Sequence, residues 1–456
     1  MRLQDNTVKC KEQGLFETLY GHFSPDGSEY VVNKPETPRP WVNVISNGDY
    51  GLVLSQVGGG FSWRTHSNYN RITRWNQDLL RDEWGKYLFL RDEENGAFWP
   101  CSGQAVAPEN YRCRHGLGYS VFEMRRDGIE SAQTVFVAAD DPLEIWILRL
   151  RNTSDRPRTL SATSYFEWNL GAAPDNHREF HALFIETEFR GAILATKRLW
   201  EVPTELGHWN TDWPYCAFHG CSEEIEGFDC DKASFVGRHR DFSHPRGMEQ
   251  PHLAGNSGKW TEATASLRSL ITLAPGEEKK IIFTLGAADG KDSALELNER
   301  FASVEAAERE LERVITGWKE RLGKVWVETP DKAFDTLNNL WLKYQAISGH
   351  LWGRAAFYQQ SGAFGFRDQL QTSQIWLPLE PAQMRRQIVL HARHQLQAGT
   401  VLHWWHPLLE EGLKTNMTDD LLWLPHMITA YLKETVDWGL LSESVPFHDG
   451  SEAPMS

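Results

Sequence analysis

The chain has 456 residues, 41% of them hydrophobic and 24% charged, with a formal net charge of −15. That length exceeds what one hydrophobic core serves, so at least two domains are expected, and the composition excludes wholesale disorder. The acidic balance opposes any general affinity for phosphate backbones or anionic membranes, which need concentrated Lys and Arg, so neither nucleic acid nor membrane is an expected partner.

Met1 to Tyr20 mixes Asp, Lys and Glu with single apolar residues and lacks the continuous apolar stretch of a secretory signal. No run of about 18 apolar residues occurs, so a soluble, cytoplasmic protein is expected. The six cysteines (Cys10, Cys101, Cys113, Cys216, Cys221, Cys230) are irregularly spaced without a C-x-x-C pair and read as reduced structural thiols. Twenty Trp is the compositional outlier; most are expected to fill cores, and a minority to stack on sugar rings.

From about Tyr30 to Leu285, short runs rich in Val, Ile, Thr, Phe and Tyr alternate with Gly, Asp, Asn and Pro turns, the pattern of a large β-sandwich. The clearest strand regions are Val42 to Val57, Gly118 to Ala138, Leu143 to Asn152, Leu160 to Leu170, Ala182 to Thr187 and Ala263 to Leu285. After Gly286, Ala, Glu, Leu and Arg dominate through Leu322, with apolar residues at three- and four-residue steps. That spacing predicts a long helix or helix pair with one face on a neighbour. Beyond Asp331, helices are expected over Lys332 to Leu351, Ala382 to Gln397 and Asp420 to Glu434, separated by polar and aromatic loops. Pro381 suits a first helical turn, Asp419 or Asp420 suits a cap, and Pro425 falls early enough that its missing N–H costs little. The expected organisation is a sandwich over 1–286, a helical linker over 287–326 and a helical domain over 327–456.

Three segments of the helical part carry unusual side chains. In YQQSGAFGFRDQLQ, Tyr358 to Gln371, Arg367 and Asp368 stand in a loop beside several amides, with Gly362 and Gly365 permitting tight turns. An Arg beside an Asp offers a rigid donor fork and nearby acceptors, which suits the vicinal hydroxyls of a pyranose; a salt bridge holding the loop is the bland alternative. In VLHWWHP, His403 and His406 have no further ligands nearby to complete a zinc loop, so no metal is expected. One of Trp404 and Trp405 is expected in the core and the other free to stack, with Trp404 the sugar-binding candidate. In TDDLLWLP, one of the adjacent carboxylates Asp419 and Asp420 is expected as a helix cap and the other as a sugar acceptor, or as an acid/base group if a second carboxylate stood opposite.

Taken together, SGAFGFRDQLQ, HWWHP and DDLLWLP at these separations resemble the inverting disaccharide phosphorylases of glycoside hydrolase family 94. In the first half, TPRPWVNVISNGDYG, the VGGGFSW turn, NRITRW and YFEWNLG are similar to that family's sandwich domain, so the resemblance spans essentially the whole chain. It implies a large antiparallel β-sandwich, a helical linker and an (α/α)6 barrel. It also implies cleavage of a β-linked gluco-oligosaccharide by inorganic phosphate, with inversion, to an α-sugar 1-phosphate, with phosphate as co-substrate and no cofactor. By resemblance, Arg367 and Asp368 hold the glycosyl unit whose bond is cut, and Arg178 in DNHREF reaches the acceptor sugar. Relatives often dimerise, so a homodimer is a further implication.

Two departures qualify that implication. Relatives commonly read RD-x-x-QD, whereas Gln371 is followed here by Thr372, which leaves the usual sugar specificity open. The family's general acid lies in a downstream D-W-N-D motif that this chain lacks, and the 126 residues from Asp331 to Ser456 fall short of the roughly 250 to 300 that twelve helices and their loops need. The expectation is an incomplete barrel whose general acid lies beyond Ser456, with no catalytic residue of its own and no activity alone. The alternatives are a non-catalytic sugar-binding or scaffold unit completed by a second polypeptide and, last, an (α/α)6 hydrolase.

Overall fold

The computed structural model describes residues 14–103, 111–174, 179–199, 211–449 and 452–454. Strands between Gly21 and Ala288 form two packed antiparallel sheets. In the ten-stranded sheet, Leu143–Asn152 lies between Ile129–Val137 and Glu278–Ala288. The nine-stranded sheet is organised on the 14-residue strand Arg158–Gly171, which pairs Ala263–Leu273 on one side and Tyr87–Asp92 and Arg71–Thr73 on the other. One of its edge strands is Val42–Ser46.

The run LEIWIL is continuous rather than alternating because both faces of its strand are covered. Trp146, Leu148 and Leu150 point into the core between the sheets, while Leu143, Ile145 and Ile147 belong to a second core that continues into the helices. That second core is closed by helices Lys291–Phe301 and Val304–Gly323, the latter N-capped by Ser303 Oγ accepting from the Ala306 N–H at 3.2 Å. The apolar stripe Ala307, Val314, Trp318 and Leu322 packs across the outer sheet face toward Trp341 and Tyr344. The amphipathic linker therefore does structural work, joining sheet and helices in one apolar body.

An ionic cluster is sealed inside the sandwich. Glu144 is fully buried, and its carboxylate takes the Lys86 ammonium at 2.6 Å, the Trp146 indole N–H at 2.7 Å, the Tyr50 hydroxyl at 3.2 Å and the Ser62 hydroxyl. Burial pulls the Lys86 ammonium down and, with Glu144 beside it, pushes the Tyr50 phenol well up. The described cysteines are free. Burial raises Cys101 and Cys230 to about 12 and Cys216 and Cys221 to about 11, which removes thiolate reactivity at neutral pH. Cys10 lies outside the described residues. Among the described residues no helix is long and apolar enough to cross a membrane.

Lys332–Thr336, Leu337–Trp341, Leu342–Tyr344 and Gln345–Gly353 run without a break as one helix, with π-helical winding in the second and fourth stretches. It covers the sheet edge at Val42–Ser46, where unpaired backbone groups need partners. Ser348 Oγ accepts from the Ser46 N–H at 3.1 Å and donates to the Val44 carbonyl at 2.8 Å, and the Tyr344 hydroxyl donates to Asn43 Oδ1 at 2.9 Å. The helices that follow are Phe366–Thr372, Trp376–Leu379, Pro381–Ala392 and Asp420–Thr435. The chain is thus a large antiparallel sandwich followed by a helical region.

Several local expectations change. Ala182 to Thr187 divides between a 3-10 turn, Glu179–Phe184, and the strand Ile185–Phe189. The helix begun by Pro381 stops at Ala392, short of Gln397, because His394 to Thr400 turns back on itself: the Leu396 N–H donates to the Thr400 carbonyl and Gln395 bridges Val401. The HWWH segment is a strand, Leu402–His406, with Phe364–Gly365 on one side and Glu411–Lys414 on the other. Arg367 and Asp368 stand in the first turn of a helix rather than in a loop.

Candidate functional site

A cleft of about 680 Å³ opens between the sandwich edge and the helical region, a size suited to a small ligand. Val42, Asn43 and Val44 form one wall; the other carries His350, Arg354, Asp368, Gln369, Trp404 and His406.

The helical wall starts at Gly365, against which the Asp368 carboxylate packs: a Cβ there would meet Asp368 Oδ2 at 2.8 Å and displace that side chain. Its backbone pairs with Trp404, and its N–H donates to Gln369 Oε1. Phe366 and Leu370 are buried, which turns Arg367 and Asp368 outward. Arg367 Nη1 donates to Asp419 at 3.0 and 3.3 Å, and its Nε lies 3.6 Å from Asp368 Oδ1. The Asp419 bond holds the guanidinium more firmly charged and the Asp419 carboxyl below its usual range. Asp368 remains well exposed at the cleft, with acceptor capacity to spare.

Asp420 is buried, its Oδ2 2.8 Å from His403 Nδ1 and its Oδ1 without a hydrogen-bond partner. The capping expectation fails for both carboxylates. Asp419 occupies the cap position of Asp420–Thr435 but makes no side-chain cap bond, because Arg367 claims it. Thr372 Oγ1 lies 2.8 Å from His350 Nδ1, so the position that departs from the usual motif is engaged with a cleft-lining imidazole. Burial lowers that imidazole's pKa, although Asp368 acts in the opposite sense.

The two indoles of the hairpin separate. Trp405 is fully buried, stacked on Phe364 and, at 3.7 Å between ring centroids, on His394; Trp404 is half-buried and lines the cleft. His406 has a fixed tautomer. His66 Nδ1 accepts two backbone N–H groups, from Asn68 and Tyr69, both at 3.1 Å, so its proton sits on Nε2 and is donated to His406 Nδ1 at 3.0 Å. A neutral His406 must then carry its proton on Nε2. Burial lowers both imidazoles, His66 further still through the charge of Arg354, which keeps the pair neutral.

Arg354 organises the loop between the long helix and the Phe366–Thr372 helix. It sits at φ 47°, just past the helix end, and its guanidinium is engaged by four backbone carbonyls. Sequence reasoning missed Arg354, His66 and His350. The available signal was a Gly-Arg pair closing an apolar helix, since a basic residue there can bond the last carbonyls. Arg178 lies outside the described residues.

Gly362 fixes the loop against His66. It has φ 67°, and a Cβ would lie 2.5 Å from the His66 ring. Gly362→Ala is expected to cost about 1–3 kcal/mol, read as a lowered unfolding midpoint. Gly191→Ala, at φ 75° with open space around it, tests backbone strain alone. Equal losses in the two variants would remove the His66 contact from the account.

Residues 28–304 match the family model "Glycosyl hydrolase 94, supersandwich domain", and residues 317–455 match "Glycosyl hydrolase 94 superfamily, catalytic domain". The chain is 35% identical over 443 residues to the cyclic beta-(1,2)-glucan synthase NdvB of Rhizobium meliloti (strain 1021), covering 94% of this chain and 15% of that protein. It is 29% identical over 468 residues to the N,N'-diacetylchitobiose phosphorylase of Vibrio furnissii, covering 95% of this chain and 57% of that one. The chain therefore spans little more than half the length of the phosphorylase. A bacterial glucoamylase complexed with acarbose shares the fold, with a TM-score of 0.54, 7% identity and coverage of 90% of this chain and 60% of that one.

Proposed function

The chain belongs to glycoside hydrolase family 94, and on that premise we propose that it supplies the sugar-holding wall of an inverting phosphorylase acting on a β-linked disaccharide or oligosaccharide. In that reaction a phosphate oxygen forms a bond to the anomeric carbon as the glycosidic C–O bond breaks on the opposite face. A carboxylic acid gives its proton to the departing sugar oxygen, and an α-sugar 1-phosphate remains. The residues of this chain perform the holding. Arg367 donates to and Asp368 accepts from vicinal hydroxyls, with Asp419 fixing the guanidinium; Trp404 offers a flat apolar face, and His406 presents an Nε2–H donor.

The observation that carries this reading is the exposed carboxylate of Asp368, which lines the cleft together with Trp404 and stands 3.6 Å from the Arg367 guanidinium, itself held by Asp419; Arg367 and Asp419 are not among the lining residues. Asp368 is the one carboxylate lining the cleft among the described residues, and on this reading it accepts from sugar hydroxyls. On this reading the chain binds sugar but lacks the general acid, and releases no sugar 1-phosphate by itself. The buried free thiols agree with a reducing, cytoplasmic setting.

Incubation with N,N'-diacetylchitobiose or cellobiose and phosphate tests the missing acid: no sugar 1-phosphate is expected, and robust release overturns that part. Calorimetry with the same sugars tests the wall: saturable binding is expected, weakened at least ~10-fold in Asp368→Asn. No binding by the unmodified chain overturns it. A second reading, a sugar-binding unit completed by another polypeptide, is favoured by the exposed Leu422 (69%) and Trp438 (61%) on and just after the last long helix.

A further inference from the structure

His394, Glu410 and His448 each bring one ligand atom to within 4.8 Å of the others. They come from separate pieces of chain. His394 lies just beyond the Pro381–Ala392 helix, Glu410 in the turn joining the strands Leu402–His406 and Glu411–Lys414, and His448 shortly after the strand Ser444–Pro446. The His394 ring is 2% exposed and clamped against Trp405. Its Nδ1 lies 2.7 Å from the Leu390 carbonyl oxygen, and a carbonyl only accepts, so Nδ1 carries a proton. Its Nε2 is thereby aimed at Glu410 Oε2, 2.8 Å away. A ring nitrogen donating to a carbonyl while the other faces outward is the usual way a metal-ligating histidine is oriented. The His448 ring stacks at 5.5 Å and 28° to that of His394, and its backbone N–H donates to the Gln395 carbonyl at 2.8 Å, fastening it to the same turn.

We propose that His394, Glu410 and His448 form a binding site for a divalent transition metal, zinc foremost, with a fourth position open to water. Two imidazoles and one carboxylate suit borderline cations and disfavour Mg²⁺ and Ca²⁺, which take mainly oxygen. Tetrahedral bonds of about 2.0–2.2 Å set ligand atoms roughly 3.3–3.6 Å apart. The pair at 2.8 Å and the outer limit of 4.8 Å bracket that spacing, and rotation of the exposed Glu410 and half-buried His448 closes the difference. His403 and His406 do not join, being engaged by Asp420 and His66. A bound ion ties the end of the Pro381–Ala392 helix and the segment around His448 to the hairpin that carries Trp404 and His406. The site stands independently of the sugar reading.

Titration calorimetry of the chelator-treated chain with ZnCl2 tests this directly. One zinc per chain and a raised melting temperature are expected, with affinity lower by on the order of tenfold or more in His448→Ala and in Glu410→Gln, and no comparable response to MgCl2. His394→Ala also removes a core ring, so the more accessible His448 and Glu410 carry the decision. Absence of zinc binding reduces the trio to an ion pair and overturns the proposal. So does zinc binding unchanged in both variants, or an equal response to magnesium.

Discussion

Glu144→Gln is expected to lower stability by about 3–5 kcal/mol, the usual cost of leaving a buried charge without its partner. Lys86 is 5% exposed, and its ammonium donates to Glu144 at 2.6 Å and to Ser62 Oγ at 2.6 Å. A neutral amide removes the countercharge and presents its own N–H groups among the Lys86, Trp146, Tyr50 and Ser62 donors. Denaturant titration followed by tryptophan fluorescence measures the loss, because Trp146 donates to this carboxylate. The double variant Lys86→Met, Glu144→Leu is expected to recover most of it, since apolar replacement of a whole buried pair is often neutral or better. A loss below about 1 kcal/mol in the single variant means that water reaches the site and the charge is not sealed.

Arg354→Ala is expected to cost about 3 kcal/mol and to abolish sugar binding measured by calorimetry. The guanidinium donates to the carbonyls of Gly362 (3.0 Å), Leu351 (3.2 Å), Trp352 (3.1 Å) and Thr65 (2.9 Å), and lies 4.1 Å from the centre of the Phe364 ring. Burial draws its pKa down to about 10, so it stays charged at neutral pH. Removing it orphans carbonyls worth about 1 kcal/mol each and frees the loop that sets Gly365 and the Arg367 turn. Arg354→Lys is expected to rescue only part of the loss, because an ammonium cannot span the same four acceptors as a planar fork. A variant that loses stability but keeps full sugar affinity would confine Arg354 to a scaffold role.

The sequence disclosed elements whose patterns are local. Leu143–Asn152 and the stripe of Val304–Gly323 announce themselves by runs and steps that the chain carries within a dozen residues. The division between sandwich and helices follows from the change in composition after Gly286. The HWWH strand was hidden because its partners, Phe364–Gly365 and Glu411–Lys414, are short and its indoles obscure any alternation. The site was legible as an inventory and not as a wiring diagram. Arg367 reaches Asp419 across 52 positions and His406 meets His66 across 340, so no window along the chain could pair them. The capping assignment failed for the same reason: helix propensity offered Asp419 a local role, and a tertiary partner took it.

The seam between sheet edge and long helix has a consequence for how such a cleft is retuned. One wall, at Val42 to Val44, is held to the other through Tyr344 and Ser348. Those bonds act as a spacer: they set the gauge of the opening, as the separation of two rails is set by the tie and not by the rails. Substitutions at Asn43 or Ser348 therefore offer selection a route to wider or narrower ligands that leaves every sugar-facing side chain in place.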